Sequence, residues 1–186
     1  MSRDRFTLKE LILMAMLAVM GMVLKPFLSP LFNLLTDFIR IPGGSAVAGI
    51  SELFLVAAAA LIGKKGTALI TGLLQGLISL TTGISAAAGV LVLITYSLPG
   101  LAVDLVMLLP AFDRLSTKNR MMLAGGLGVL TGAAAANVLY FRLPVIPFIL
   151  FYAVGILSGA AGGWLACLIV HRLPASVREG IGKNRI

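Results

Sequence analysis

Six apolar stretches, nearly free of charge, divide the chain, and they restrict its fold more than any other feature. They run from about Leu8 to Leu24, Ala46 to Ile62, Gly66 to Thr82, Ile84 to Leu109, Met121 to Phe141 and Val145 to Val170. A helix needs about 20 mostly apolar residues to cross a hydrocarbon core of roughly 30 Å, somewhat fewer when its ends snorkel. Each stretch therefore predicts a transmembrane helix. The third is the shortest, and it carries Thr71, Gln75, Ser79, Thr81 and Thr82. It still qualifies, because Lys64-Lys65 before it and the next apolar run after it leave no other way to thread the chain. Lys25-Pro26 follows the first stretch with no small-x-small cleavage site, so that stretch reads as a span and not as a signal peptide. The expected fold is all-α: one membrane domain, residues 1–186, built as a compact bundle of six helices.

Composition agrees. Of 186 residues 59% are hydrophobic and only 12% charged, too few charges to cover a water-facing surface. A soluble enzyme, a disordered segment and a disulfide scaffold are all disfavoured. The net charge of +8 would suggest nucleic acid in a soluble chain, but here the basic residues sit between spans. With both termini placed in the cytoplasm, one side holds Arg3, Arg5, Lys9, Lys64, Lys65, Arg114, Lys118, Arg120, Arg172, Arg178, Lys183 and Arg185. Only Lys25, Arg40 and Arg142 remain outside. The positive-inside bias predicts a multi-pass protein of the cell membrane with cytoplasmic termini and no nucleic-acid partner.

Several chemistries lack their residues. Cys167 and His171 are the sole cysteine and histidine, so neither a disulfide nor a multi-cysteine or histidine metal cluster is expected. The chain has no GxxxxGK[ST] loop for ATP, no HExxH and no GxSxG. No catalytic residue and no cofactor is expected. Small residues recur every four positions in three spans: Gly72 and Gly76; Gly128, Gly132 and Ala136; Gly155, Gly159 and Gly163. That spacing predicts close helix packing within one bundle, or a dimer face.

Two further features concern the outer side. Phe27, Leu28, Leu31, Phe32, Leu35, Phe38 and Ile39 recur at helical spacing in the long connection from Lys25 to Ser45. This predicts an amphipathic element, either a lid over a cavity or a helix lying at the interface. Pro99-Gly100 should bend the fourth span.

Polar residues inside spans mark function, because burying them costs several kcal/mol unless something compensates. Glu52 should lie roughly 9 Å below the outer end of the second span at about 1.5 Å per residue. Gln75 should lie about as deep in the third span, Tyr96 deeper in the fourth, and Tyr152 roughly 10 Å down the sixth. Asn137 and Tyr140 belong near the outer end of the fifth. Together these six predict a polar, aromatic-lined pocket for a small molecule opening outward. Asp104 lies too deep to share it; it either bonds within the bundle or titrates in a proton relay.

The chain resembles the substrate-binding S components of energy-coupling factor (ECF) vitamin transporters. The residues that carry the likeness are Arg3-Asp4-Arg5 and Lys9-Glu10-Leu11 before an Ala-rich first helix, then Ile41-Pro42-Gly43-Gly44-Ser45 leading to Glu52. Gly63-Lys64-Lys65-Gly66-Thr67-Ala68, Gly72-Leu73-Leu74-Gln75-Gly76 and Ser97-Leu98-Pro99-Gly100-Leu101-Ala102-Val103-Asp104 continue it. The likeness is greatest to the branch assigned to thiamine and hydroxymethylpyrimidine. It implies a complex with a transmembrane T component and two ATPases, in which this chain captures a vitamin outside and topples in the lipid bilayer to release it. The family docks its T component on small residues of the first helix, usually Ala-x-x-x-Ala. Here Val19 and Met22 follow Ala15 and Ala18 at four residues, and the equivalent groove is Ala15, Ala18 and Gly21. A carboxylate at Glu52 suits a thiazolium or aminopyrimidine ring, whereas Lys25 and Arg40 would attract an anion. Two other readings stay open: a self-sufficient proton-coupled carrier using Glu52 and Asp104, and a non-transporting scaffold.

Overall fold

The computed structural model describes residues 6–36, 43–84, 86–142 and 145–173. Among the described residues the chain forms six α-helices: α1 (Leu8–Thr36), α2 (Gly43–Ile62), α3 (Thr67–Thr82), α4 (Val92–Leu108), α5 (Thr117–Ala136) and α6 (Val145–Arg172). There is no strand among the described residues. Helices α1, α4, α5 and α6 are long and apolar enough to cross a membrane, and α2 and α3 add shorter apolar segments. This is a multi-pass membrane protein.

Around the bundle the helices neighbour one another in the order α1, α2, α6, α5, α4, α3 and back to α1. Helix α2 also touches α3, α4 and α5, so it meets every other helix. Its sequence explains that central place: Val56 to Ala60 are all buried, and four consecutive alanines let neighbouring backbones approach from any side. The glycine ladders pack inside the bundle. Gly72 and Gly76 lie against α4 at Tyr96 and Leu93, and Gly159 and Gly163 lie against α5 at Gly125 and Met121. Gly132 leaves room for Pro99 and the Thr95 carbonyl, while Gly49 and Gly162 bring α2 onto α6.

The helix ends are tied by side chains. Thr7 and Glu10 form a capping box at the start of α1: the Thr7 N–H donates to Glu10 Oε2 (2.7 Å) and the Glu10 N–H to Thr7 Oγ1 (3.4 Å). Lys64, in the α2–α3 loop, pairs with the same carboxylate at 2.7 Å. Arg120 donates to the carbonyls of Val106 (3.0 Å), Met107 (2.7 Å) and Leu109 (3.3 Å), satisfying the orphan acceptors at the end of α4. Its other nitrogen pairs with Asp113.

Two expectations about the chain path change. Helix α1 does not stop at Leu24; it continues through Pro26 and Pro30 to Thr36. Lys25 is therefore a helical residue inside the bundle and not the first residue of a loop. Proline is tolerated inside a membrane helix where neighbouring elements satisfy the freed backbone groups. The remainder of the expected amphipathic element, Asp37 to Pro42, lies outside the described residues. Helix α4, in turn, starts at Val92 and not at Ile84. The segment Ala86–Leu91 before it is broken at Gly89, whose φ of 52° and ψ of −137° no helix contains. Helix α4 then continues through Pro99 to Leu108.

Candidate functional site

Helix α3 carries a polar stripe. Thr67, Thr71, Gln75 and Ser79 recur every four residues, hence on one face, and all four are fully buried. Half of the stripe is internally satisfied: Thr67 Oγ1 donates to the Lys64 carbonyl and Thr71 Oγ1 to the Thr67 carbonyl, each at 2.8 Å. The other half is not. Both amide atoms of Gln75 and the hydroxyl of Ser79 have no hydrogen-bond partner among the described residues.

Glu52 presents the same condition on α2. Its side chain is 4% exposed, and Oε2 has no partner. The carboxylate reaches across to Gly128 of α5, which also faces Val103 of α4; a methyl group at position 128 would collide with the carboxylate. With α2 beginning at Gly43, Glu52 lies about 14 Å from the nearer helix end, deeper than an origin at Ala46 predicts. Buried polar groups are otherwise nearly always paired. Three unpaired ones on two adjacent helices define a place where hydrogen-bonding partners are missing.

Lys25 closes this region. Its ammonium donates to Tyr96 Oη at 2.9 Å and sits 4.6 Å from the centre of the same ring. It is near enough to act electrostatically on Glu52. Tyr96 is only about 6 Å from the start of α4, shallower than expected, because that helix begins at Val92. Lys25 lies in α1 and not in a loop, and Ser79, not among the expected site residues, shares the buried face of Gln75. The signals were present: an apolar run continuing beyond Lys25, and the four-residue register that joins Ser79 to Gln75.

The remaining expected site residues lie around the same end of the bundle. Asn137 begins a wide π turn, Asn137–Phe141, that ends α5, and its carbonyl accepts the N–H of Arg142 at 2.9 Å. Tyr140 belongs to that turn, but its side chain lies outside the described residues. Tyr152, part-buried on α6, meets Phe151 edge-on at 6.1 Å. Lys25 and Tyr96 are hydrogen-bonded, Lys25 acts electrostatically on Glu52, and Gln75 and Ser79 lie on α3.

Ala15, Ala18 and Gly21 do not share an exposed face. Ala15 is exposed, but Ala18 is 0% exposed, and Gly21 is buried against Phe54 and the Gln75 amide, where a side chain would clash. Residues spaced by three rotate around a helix, so the third has turned inward. Gly21 makes room for the polar stripe.

Asp104 has a clear partner set. Its two oxygens accept the N–H groups of Ala68 (3.1 Å) and Leu69 (2.9 Å) in the first turn of α3. Gly66, the residue before that helix, offers no side-chain cap. Asp104 supplies one from α4, at the positive end of the α3 dipole, and Gly100, one turn earlier, lets the two backbones meet.

No curated protein matches the chain in sequence. Among solved structures it is similar to an S component of an ECF transporter, with a TM-score of 0.73 and 21% identity over 95% of this chain and 90% of that one. That likeness is one of fold. Residues 9–131 match the family described as "ABC-type cobalt transport system, permease component". Spanning well over half of the chain, the match makes this protein a member of that permease-component family.

Proposed function

We propose that this chain is the substrate-capture subunit of an ECF-type importer and binds a small vitamin or vitamin precursor, thiamine or hydroxymethylpyrimidine being the best fit. One observation carries the reading: Glu52, Gln75 and Ser79 are buried with polar atoms unpaired, beside the Lys25–Tyr96 pair. A planar, nitrogen-rich ring supplies what these groups lack. Its amino group donates to Glu52, its ring nitrogens and substituents meet Gln75 and Ser79, and Tyr96 offers an aromatic face. Asn137, Tyr140 and Tyr152 complete the rim. The bias of basic residues supports cytoplasmic termini, with the Tyr96 end of the site facing outward.

The family's description names cobalt, and the donor set weighs against a bare metal ion as cargo. Among the described residues no three His, Cys, Asp or Glu side chains gather. The site instead offers one carboxylate, an amide, a hydroxyl and a phenol, too few anionic or imidazole donors to hold a bare divalent ion. The chain carries no ATP-binding loop, so delivery inward is the work of a T component and two ATP-binding subunits. Docking uses the exposed side of α1 around Ala15, with Ala18 and Gly21 as its buried back. The subunit has no catalytic activity of its own.

Mass spectrometry of small molecules released from the purified protein tests this. A stoichiometric pyrimidine or thiazolium compound, present in the wild type and absent from Glu52→Gln, is expected. A different vitamin keeps the capture role and rejects the ligand. Uptake into sealed vesicles by the chain alone, abolished by an uncoupler, would instead establish the proton-coupled carrier.

A further inference from the structure

On the opposite side of the bundle from α1, helices α5 and α6 leave a groove of about 300 Å³. Met122, Leu127 and Leu130 line it from α5 and Ile156 and Ala160 from α6, so its walls are almost wholly apolar. Asn119 ends it on one side. From Asn119 to Leu130 is about 16 Å along the helix, the depth of one leaflet of a roughly 30 Å hydrocarbon core.

The polar end is positively charged. Lys118 is exposed next to Asn119, and its ammonium lies 5.6 Å from the ring centre of Trp164. Trp164 follows Ala160 by one helical turn and is 42% exposed. The pair therefore brackets the groove where Asn119 closes it. Arg114, exposed in the preceding loop, adds a further charge to this end of the bundle, and the positive end of the α5 dipole lies here too. Arg120 does not contribute, since its nitrogens are taken by α4 carbonyls and Asp113. Tryptophan and lysine at this depth are the residues that meet lipid headgroups.

We infer that this groove is a binding site for one anionic phospholipid, with an acyl chain between α5 and α6 and the phosphate at Lys118 and Asn119. Groove length, apolar walls and a cationic end match the two parts of such a lipid in order. The site is separate from Glu52 and does not depend on the transported compound.

The test is native mass spectrometry of the full chain in detergent, supplied with phosphatidylglycerol or with phosphatidylcholine of the same acyl chains. The wild type should retain phosphatidylglycerol in preference, and Lys118→Gln should reduce the preference about fivefold, the effect of one basic residue at an anionic surface. Ala160→Phe, which fills the groove, should abolish retention of either lipid. Should that variant misfold, Gly126→Val serves: a methyl group at Gly126 would lie 3.6 Å from Ile156 and 4.0 Å from Ala160, ordinary contact distances. Equal retention of both lipids by the wild type, or full retention by the groove-filling variants, overturns the inference. A dimer mass lost in those variants also overturns it and assigns the groove to a second copy of the chain.

Discussion

The Lys25 ammonium both hydrogen-bonds the Tyr96 hydroxyl at 2.9 Å and lies 4.6 Å from the centre of its ring. One residue comes from α1 and the other from α4, helices that are not neighbours around the bundle. The contact therefore spans α3, on which Gln75 and Ser79 carry unpaired polar atoms. Lys25 is part-buried, so the pair is discounted for solvent screening. A double-mutant cycle with Lys25→Met and Tyr96→Phe should give a coupling energy of about 1 kcal/mol from thermal unfolding. Additive effects of the two substitutions would show that the pair is not formed in the membrane.

Gln75→Leu should make the ligand-free protein more stable. The amide is fully buried with neither atom paired, a condition that costs about 1–3 kcal/mol, and leucine fills nearly the same space. The variant should melt higher than the wild type without ligand and should lose ligand capture. A lower melting temperature would mean that the amide already has a partner.

Glycines on the same helix pair should respond oppositely. A methyl group at Gly163 runs into the Met121 carbonyl, so Gly163→Ala should cost about 1–3 kcal/mol. At Gly126 the neighbours stand at ordinary contact distance, and alanine has the higher helix propensity, so Gly126→Ala should be neutral or gain up to about 1 kcal/mol. Unfolding of both variants in detergent decides it, and equal losses would contradict this packing.

Asp104→Asn keeps one acceptor oxygen for the α3 amides and removes the titratable proton. It should cost about 1 kcal/mol, whereas Asp104→Ala, leaving two N–H groups unpaired, should cost about 2–4 kcal/mol. In the assembled transporter the Asn variant should retain uptake. A folded but inactive Asn variant would restore the proton-relay reading of this residue.

What the sequence made legible follows physical lines. Six apolar runs of sufficient length specify six helices, and Glu52 and Gln75 stood out because their types are costly in such runs. Helix boundaries were harder. The first apolar run was bounded at Leu24, before Lys25-Pro26, yet α1 continues through Pro26 and Pro30. The break at Gly89 shortened α4 and moved Tyr96 toward its end. Contacts between distant helices were not readable at all: nothing in the run around Asp104 says that its oxygens meet the backbone of α3, and nothing in α1 says that Gly21 faces Gln75. The four-residue stripe on α3 was readable, but its threonines and serine are common in membrane helices, so only burial separates the satisfied half from the unsatisfied one.

The neighbour order of the helices bears on how the protein is made. Helix α2 packs extensively against α6, through Gly49 and Gly162, although α3, α4 and α5 emerge from the ribosome between them. Until α6 enters the bilayer, the side of α2 that receives it has lipid or the insertion machinery for company. A chain truncated before Val145 would lose more than α6: it would leave the central helix open along one side, and quality-control proteases should clear it rather than let the fragment persist.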